Sequence, residues 1–353
     1  MYNFRKNIKK IPSNKIKPYL SYGNTSIIEV IKKINATTEK FQIIIDKKKK
    51  IIGTLTDGDI RRSLVKGKSI NDIVNKCMNK KPIIGKVLDN EENIKKIEIV
   101  DRFPPFLPLV DKNRIVKEII VGTEEIKINS AVIMAGGLGS RLGKITEKTP
   151  KPLLKIGGKT IIDHCIQILE EGNINNIYIS VNHLKHKIMS YINKKKSKLN
   201  FSFVEEKKKL GTVGSLSLIT NKVEFPLIVM NSDLITNLSI KSFIRYYNQE
   251  KFDALIGAVT YEHQSPFGVL KYNKTGNLEA IEEKPIQKHL IAAGIYIINK
   301  KTANLLNFNK KIDMPELITL ALKKNLNLGV FPIHEKWVDI GRPIDFKRLK
   351  ANF

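Results

Sequence analysis

The densest concentration of chemistry in the sequence is AVIMAGGLGSRLGKITEKTPKPLLKIGGK, from Ala131 to Lys159. An apolar run feeds straight into Gly136, Gly137 and Gly139, where a backbone free to take positive φ lets consecutive amides turn toward phosphate oxygens. Arg141 adds a fixed, multidentate cation, and Lys151, between Pro150 and Pro152, adds a compact one. That set suits a nucleoside triphosphate. The spacing is neither GxxxxGK[ST] nor the dinucleotide GxGxxG, so both of those phosphate loops are excluded. Downstream, the apolar run LIVM ends in Asn231, Ser232 and Asp233, and WVDIGRP carries Asp339. A carboxylate at the carboxyl end of a parallel strand lies where open α/β sheets bind ligands.

The elements that must hold these residues can be read from periodicity. From residue 131 onward, short apolar runs alternate with amphipathic segments: strands at 131–134, 177–181, 201–205 and 227–230, and helices at 161–171, from about 183, after Gly214 and at 240–250. Such alternation predicts a mostly parallel sheet covered on both faces. Past Asp253 the runs ALIGAV, GVLKY, LEAIEE and AGIYII suggest an inserted, partly antiparallel layer for a second substrate, followed by helices near 315–324 and 343–350. The N-terminal part has a different order, in two rough repeats. FQIIID, a Lys-rich turn and IIGTLT precede the helical DGDIRRSLVKG; FLPLVD, a turn at 112–114 and IVKEIIVG form the second. The polar stretch 123–129 reads as a linker between domains at 1–122 and 130–353.

Composition narrows the class. At 353 residues and 42% hydrophobic the chain is globular and long enough for two domains. No apolar run reaches the roughly 20 residues of a membrane helix, and the first residues lack a signal-peptide core, so a cytoplasmic protein without a membrane partner is expected. Cys77 and Cys165 have no metal-ligand spacing. The net charge of +28 is spread through a Lys-, Ile- and Asn-rich chain, and its densest runs carry no interleaved aromatics. It is read as composition bias that steers anionic substrates, not as a nucleic-acid site.

The glycine-rich segment resembles the signature AGGxGTRLxPxTxxxPKPLLxIxGKP of the nucleotidyltransferases that make nucleoside-diphosphate sugars, departing from it at Ser140, Lys144 and Thr160. The resemblance implies a Rossmann-like fold in which Ala135, Gly136, Gly137, Gly139 and Ser140 cradle the triphosphate, with Arg141 and Lys151 as the catalytic cations. It also implies that EEKKKLGTVGSL lies along the nucleobase, through Glu206, Gly211 and Thr212. Glu283, Lys284 and Gly294 would meet the sugar phosphate, and Asp233 and Asp339 would hold Mg²⁺. Lys209 and Val213 replace a Pro and an Ala of the pattern, which leaves base preference open. The N-terminal repeats resemble a tandem pair of CBS domains (a Bateman module). There, GTLTDGDIRR would set Thr56 and Asp59 on the ribose and phosphate of an adenine nucleotide; a structural or homodimerising role stays open beside that one.

The fusion resembles enzymes that activate sugars for bacterial surface glycans. It implies a nucleoside triphosphate and a sugar 1-phosphate as substrates, with GTP and glucosamine 1-phosphate favoured, as in legionaminic acid pathways, and mannose or heptose 1-phosphate as competitors. Two other readings stand beside it: a cytidylyltransferase for a non-sugar phosphate such as phosphocholine, and a catalytically silent nucleotide-sensing relative.

Overall fold

The computed structural model describes residues 8–37, 39–100, 104–122 and 128–351. Contacts divide the chain into two compact units: the N-terminal part together with Lys241–Lys251, and Ile128–Ile240 together with the chain from Phe252 onward. The expected single boundary at 123–129 therefore does not describe how the helix Ile240–Glu250 clusters. Residues 123–127 of the expected linker lie outside the described residues.

In the N-terminal unit, the helix Ile27–Ala36 starts at a Ser26–Glu29 capping box and buries Ile27, Val30, Ile31 and Ile34, the apolar stripe of a 3.6-residue period. Leu20–Tyr22 runs parallel to Phe41–Ile45, which pairs antiparallel with Ile51–Thr56. The second repeat has the same arrangement: Gly85–Lys86 runs parallel to Phe106–Val110, which pairs antiparallel with Val116–Gly122. Ile8–Ile11 adds to the outside of Val116–Gly122.

The two hairpin turns match atom for atom. The Asp46 amide donates to Lys50 O (2.9 Å) and the Asp111 amide to Ile115 O (3.0 Å), while each Asp Oδ1 accepts from the amide four residues on. Lys49 and Arg114 both take positive φ at the same point in the turn. Phe41 stacks on Phe106 at 3.8 Å between ring centroids, joining the two repeats in one core with Ile43, Ile51, Val116 and Ile119.

The C-terminal unit is built on one seven-stranded sheet in the order Asn200–Glu205, Asn176–Val181, Ser130–Met134, Leu227–Asn231, Ile286–Ile298, Ala254–Gln264, Leu328–Ile333. The first four strands are parallel; Ile286–Ile298 is antiparallel to both of its neighbours. Ser130–Met134 thus sits between two parallel strands reached by connections in opposite directions, and the crevice at its carboxyl end is where such sheets bind ligands.

The runs past Asp253 are partly antiparallel, as expected, but ALIGAV and AGIYII belong to the central sheet instead of an inserted layer. Residues 254–259 and 293–298 are almost wholly buried because they are members of the central sheet, and a continuous apolar run is what a strand covered on both faces requires. Only the far ends of these strands and the hairpin Val269–Tyr272/Leu278–Glu282 project as an exposed arm. Among the described residues no helix is long and apolar enough to cross a membrane.

Candidate active site

The buried strand Ser130–Met134 delivers Ala135, itself 1% exposed, to the start of the glycine loop. Gly139 takes φ +67°; a Cβ there would lie 3.0 Å from Thr146 Cγ2 and 3.3 Å from Lys151 Cβ. The left-handed turn and the close approach of the Lys151 segment together call for glycine. Thr146 Oγ1 locks the loop from below, donating within reach of both Gly139 O (2.9 Å) and Gly143 O (3.1 Å). Over Gly137 the space is open, since an added Cβ would meet nothing within 4 Å.

Lys151 opens a short 3₁₀ turn after Pro150, and its ammonium donates to Asp233 Oδ2 at 2.5 Å. Asp233 and Asp339 meet through a two-stranded ribbon: Leu234–Thr236 pairs antiparallel with Trp337–Asp339, with Leu234 opposite Asp339, and the Ile340 amide donates to Asp233 O at 3.1 Å. The remaining oxygens, Asp233 Oδ1 and Asp339 Oδ1, are buried with no hydrogen-bond partner among the described residues. Burial first, and then the neighbouring Asp233 charge, push the Asp339 carboxyl above its ordinary value, while Lys151 and Arg141 pull the other way.

Two hard, partnerless carboxylate oxygens, on side chains close enough for the Asp233 charge to act on Asp339, fit a divalent cation that keeps most of its shell for water and phosphate oxygens. Among the described residues no cluster of three His, Cys, Asp or Glu side chains forms, so such an ion would need substrate oxygens to complete its coordination.

At the other end of the site, the Glu206 amide donates to Val181 O, continuing the sheet edge. Its carboxylate accepts from Ser180 Oγ (2.5 Å) and from the Leu210 amide (3.1 Å). Gly211 takes φ +81°, and a Cβ would lie 2.4 Å from Ile312 O. The segment 309–314 is pressed onto this turn. The Ile312 amide donates to Leu210 O, the Thr212 amide to Asp313 Oδ1 and the Met314 amide to Thr212 Oγ1, the last two at 2.8 Å each.

One cleft of about 430 Å³ gathers most of the expected residues. Gly136, Gly137, Gly139, Ser140, Arg141 and Lys151 line one side; Glu206, Gly211, Thr212 and Asp233 line the rest. Ala135 lies behind the wall, and Asp339 is reached through Gly341, which lines the cleft 3.3 Å (as a built Cβ) from Asp339 Oδ2. Gly294 takes φ +74° beside Asn231, a lining residue whose Nδ2 would be 2.7 Å from an added Cβ.

Glu283 and Lys284 are exposed on the projecting arm and do not line the cleft. Thr56 and Asp59 belong to the other unit and cap the helix Asp57–Val65: Asp59 Oδ2 accepts from the Thr56 amide and hydroxyl, and Oδ1 accepts from Arg62. Sequence reasoning missed Lys209, read only as a departure from the pattern, and Lys311, both of which line the cleft. Lys311 sits in a polar stretch without periodicity, and only the hydrogen bonds of its loop bring it there.

A family model described as Nucleotidyl transferase matches residues 130–352. The mannose-1-phosphate guanyltransferase of Yarrowia lipolytica is 30% identical over 224 residues, 61% of this chain and 61% of that protein. A putative mannose-1-phosphate guanyltransferase of Sulfolobus acidocaldarius is 27% identical over 227 residues, 62% of each. The chain thus spans about 61% of the length of the curated relatives it matches. Among solved structures, HddC from Yersinia pseudotuberculosis superposes with a TM-score of 0.51 and 26% identity over 64% of this chain and all of HddC. A putative glucose-1-phosphate thymidylyltransferase from Bacillus anthracis, 24% identical, shares the fold with a TM-score of 0.52 over 63% of this chain and 94% of its own. The matched region opens on the strand that carries the glycine loop and runs past Asp339, taking in every residue of the cleft: the chain belongs to the nucleotidyl transferase family.

Proposed function

We propose that this protein transfers a nucleotidyl group from a nucleoside triphosphate to a sugar 1-phosphate, releasing pyrophosphate, with GTP as donor and glucosamine 1-phosphate as the favoured acceptor ahead of mannose or heptose 1-phosphate. One observation carries the reading. Arg141, Lys151 and Asp233 line a single cleft with Asp339 behind its Gly341 wall, and one buried oxygen of each carboxylate has no partner among the described residues. The guanyltransferase relatives support guanine as the base.

An anomeric phosphate is already ionised at neutral pH, so its oxygen attacks the α-phosphorus without a general base. The protein's task is in-line positioning and charge stabilisation. The loop amides from Gly136 to Ser140 would hold the triphosphate over the open space at Gly137, and Arg141 would neutralise the departing pyrophosphate. Mg²⁺, held by Asp233 and Asp339, would supply charge neutralisation along the triphosphate. Lys151, relieved of its Asp233 partner in that state, would turn to the phosphate under attack. Glu283 and Lys284 would close onto the sugar phosphate from the arm, beside Gly294.

For the N-terminal unit the reading is a tandem CBS module that takes an adenine nucleotide or pairs two copies of the chain. The matched turns at Asp46 and Asp111 support an internal duplication. Titrating AMP and ATP into the full chain decides between the two roles, with the absence of heat favouring the dimerising one. The transferase reading is tested by pyrophosphate release across four nucleoside triphosphates crossed with a panel of sugar 1-phosphates. Turnover with GTP and an amino- or neutral-hexose 1-phosphate is expected; no turnover with any pair would favour a silent regulatory relative.

A further inference from the structure

The base end of the cleft contains a chain of contacts that reaches a residue outside every recognised motif. Glu206 Oε2 accepts from the Leu210 amide, and Leu210 O accepts from the Ile312 amide. Lys311, immediately before Ile312, therefore hangs from a backbone fixed two hydrogen bonds away from the Glu206 carboxylate. The loop that carries it is held at further points by Thr212, Asp313 and Ser217. Both Lys311 and Glu206 line the same cleft, and among the described residues the Lys311 ammonium has no carboxylate partner. A donor whose backbone is pinned to the turn that carries an acceptor, with both side chains lining one cleft, is suited to reading a base edge.

We propose that Lys311 is a base-selecting residue, which donates to O6 and N7 of a 6-oxopurine while Glu206 faces the N1–H and N2–H donors of guanine. The proposal rests on the transferase reading and sharpens it to the donor. The chemistry discriminates on both sides. Guanine offers acceptors at O6 and N7, whereas adenine sets an amino donor against the ammonium at position 6, and pyrimidines have no N7. Glu206 still has lone pairs to offer, since each of its oxygens accepts only one bond from the protein. Lys209 lines the cleft too, but it closes the charged run Lys207–Lys209, so its charge should attract any triphosphate alike.

The test is calorimetric titration of GTP, ITP, ATP and UTP into the full chain with Mg²⁺ and saturating AMP, which fills any adenine-nucleotide site of the N-terminal unit, for the wild type, Lys311→Met, Lys311→Arg and Lys209→Met. Binding is read directly, so the result stands whether or not turnover is found. The wild type should prefer GTP and ITP. Lys311→Met should weaken those two by about 10- to 100-fold, the discrimination of one bidentate base contact, and leave ATP and UTP within about twofold of wild type, the scale of a contact that does not read the base. Lys311→Arg should keep the preference, and Lys209→Met should weaken all four alike. Equal weakening of all four nucleotides by Lys311→Met, a preference carried by Lys209, or a wild type indifferent to the base would each overturn the proposal. Failure of the transferase reading would show separately, as base-selective binding without pyrophosphate release.

Discussion

Replacing Asp339 by Asn should stabilise the metal-free protein while destroying its activity. Asp339 is held above its ordinary protonation range by burial and by Asp233, and its Oδ1 has no partner among the described residues. As pH rises from the ordinary carboxylate value toward the raised native value, the folded state retains a proton that the unfolded chain has released. Stability present at low pH is therefore lost as pH rises through the raised native value. An amide at this position carries no charge at any pH and has a donor as well as an acceptor to offer. The gain belongs with other relieved functional sites, about 0.5–2 kcal/mol. For a folding unit of this size that raises Tm by roughly 1–8 °C.

Turnover should move the opposite way, falling on the order of 10²–10³-fold, the usual cost of removing one preorganised charge from a transition state. Mg²⁺·GTP at a hundred times its Kd should stabilise the wild type by about 2.7 kcal/mol and the variant far less. Thermal melts at pH 7.5, with and without Mg²⁺·GTP, and pyrophosphate release give all three readouts. A variant that melts lower than wild type without metal, or that keeps turnover within tenfold (about 1.4 kcal/mol in barrier), would refute the reasoning.

Gly211→Ala should cost about 1–2 kcal/mol for the positive φ alone and displace Ile312, whose carbonyl oxygen lies 2.4 Å from the would-be Cβ. Steady-state kinetics should show a higher KM for the nucleotide with that for the sugar phosphate unchanged; a rise confined to the sugar phosphate would contradict the assignment of the turn. Ser180→Ala removes the hydroxyl 2.5 Å from Glu206 Oε1, a charge-assisted bond of about 1.5–3 kcal/mol. Nucleotide affinity measured by calorimetry should fall, and unchanged affinity would place Glu206 outside the base site. Burial pushes the Cys165 thiol up to about 12 and the Cys77 thiol up to about 11, so at pH 8 neither should react with a disulfide reagent until the chain is unfolded in denaturant. Labelling of either thiol within minutes in the folded protein would contradict this.

Much of the C-terminal unit was legible because its strands and helices differ sharply in period. The helix Ile161–Glu171 opens at a Thr160–Asp163 capping box, and the run at Ser130–Met134 is too apolar for a surface strand. Residue types pointed to Arg141, Lys151, Asp233 and Asp339, but not to the ribbon that sets Leu234 opposite Asp339, because pairing across such a separation depends on tertiary register. Membership of 254–259 and 293–298 in the central sheet was hidden for a related reason: an apolar run does not reveal which sheet it joins. Lys311 was invisible because its position follows from backbone hydrogen bonds of an irregular loop, which leave no periodic trace. The same holds for Glu206, whose resemblance to a motif gave its place but whose Ser180 and Leu210 partners appear only in three dimensions.

The proposed transferase joins a nucleotide to a sugar phosphate in one cleft. Its most direct test is the stoichiometry of a single reaction containing the full chain, GTP, glucosamine 1-phosphate and Mg²⁺, with pyrophosphate and nucleoside-diphosphate sugar quantified together. Equal amounts of the two products are expected, absent when any component is omitted and lost in Asp233→Asn. Pyrophosphate formed without the sugar phosphate, or undiminished product from Asp233→Asn, would contradict it.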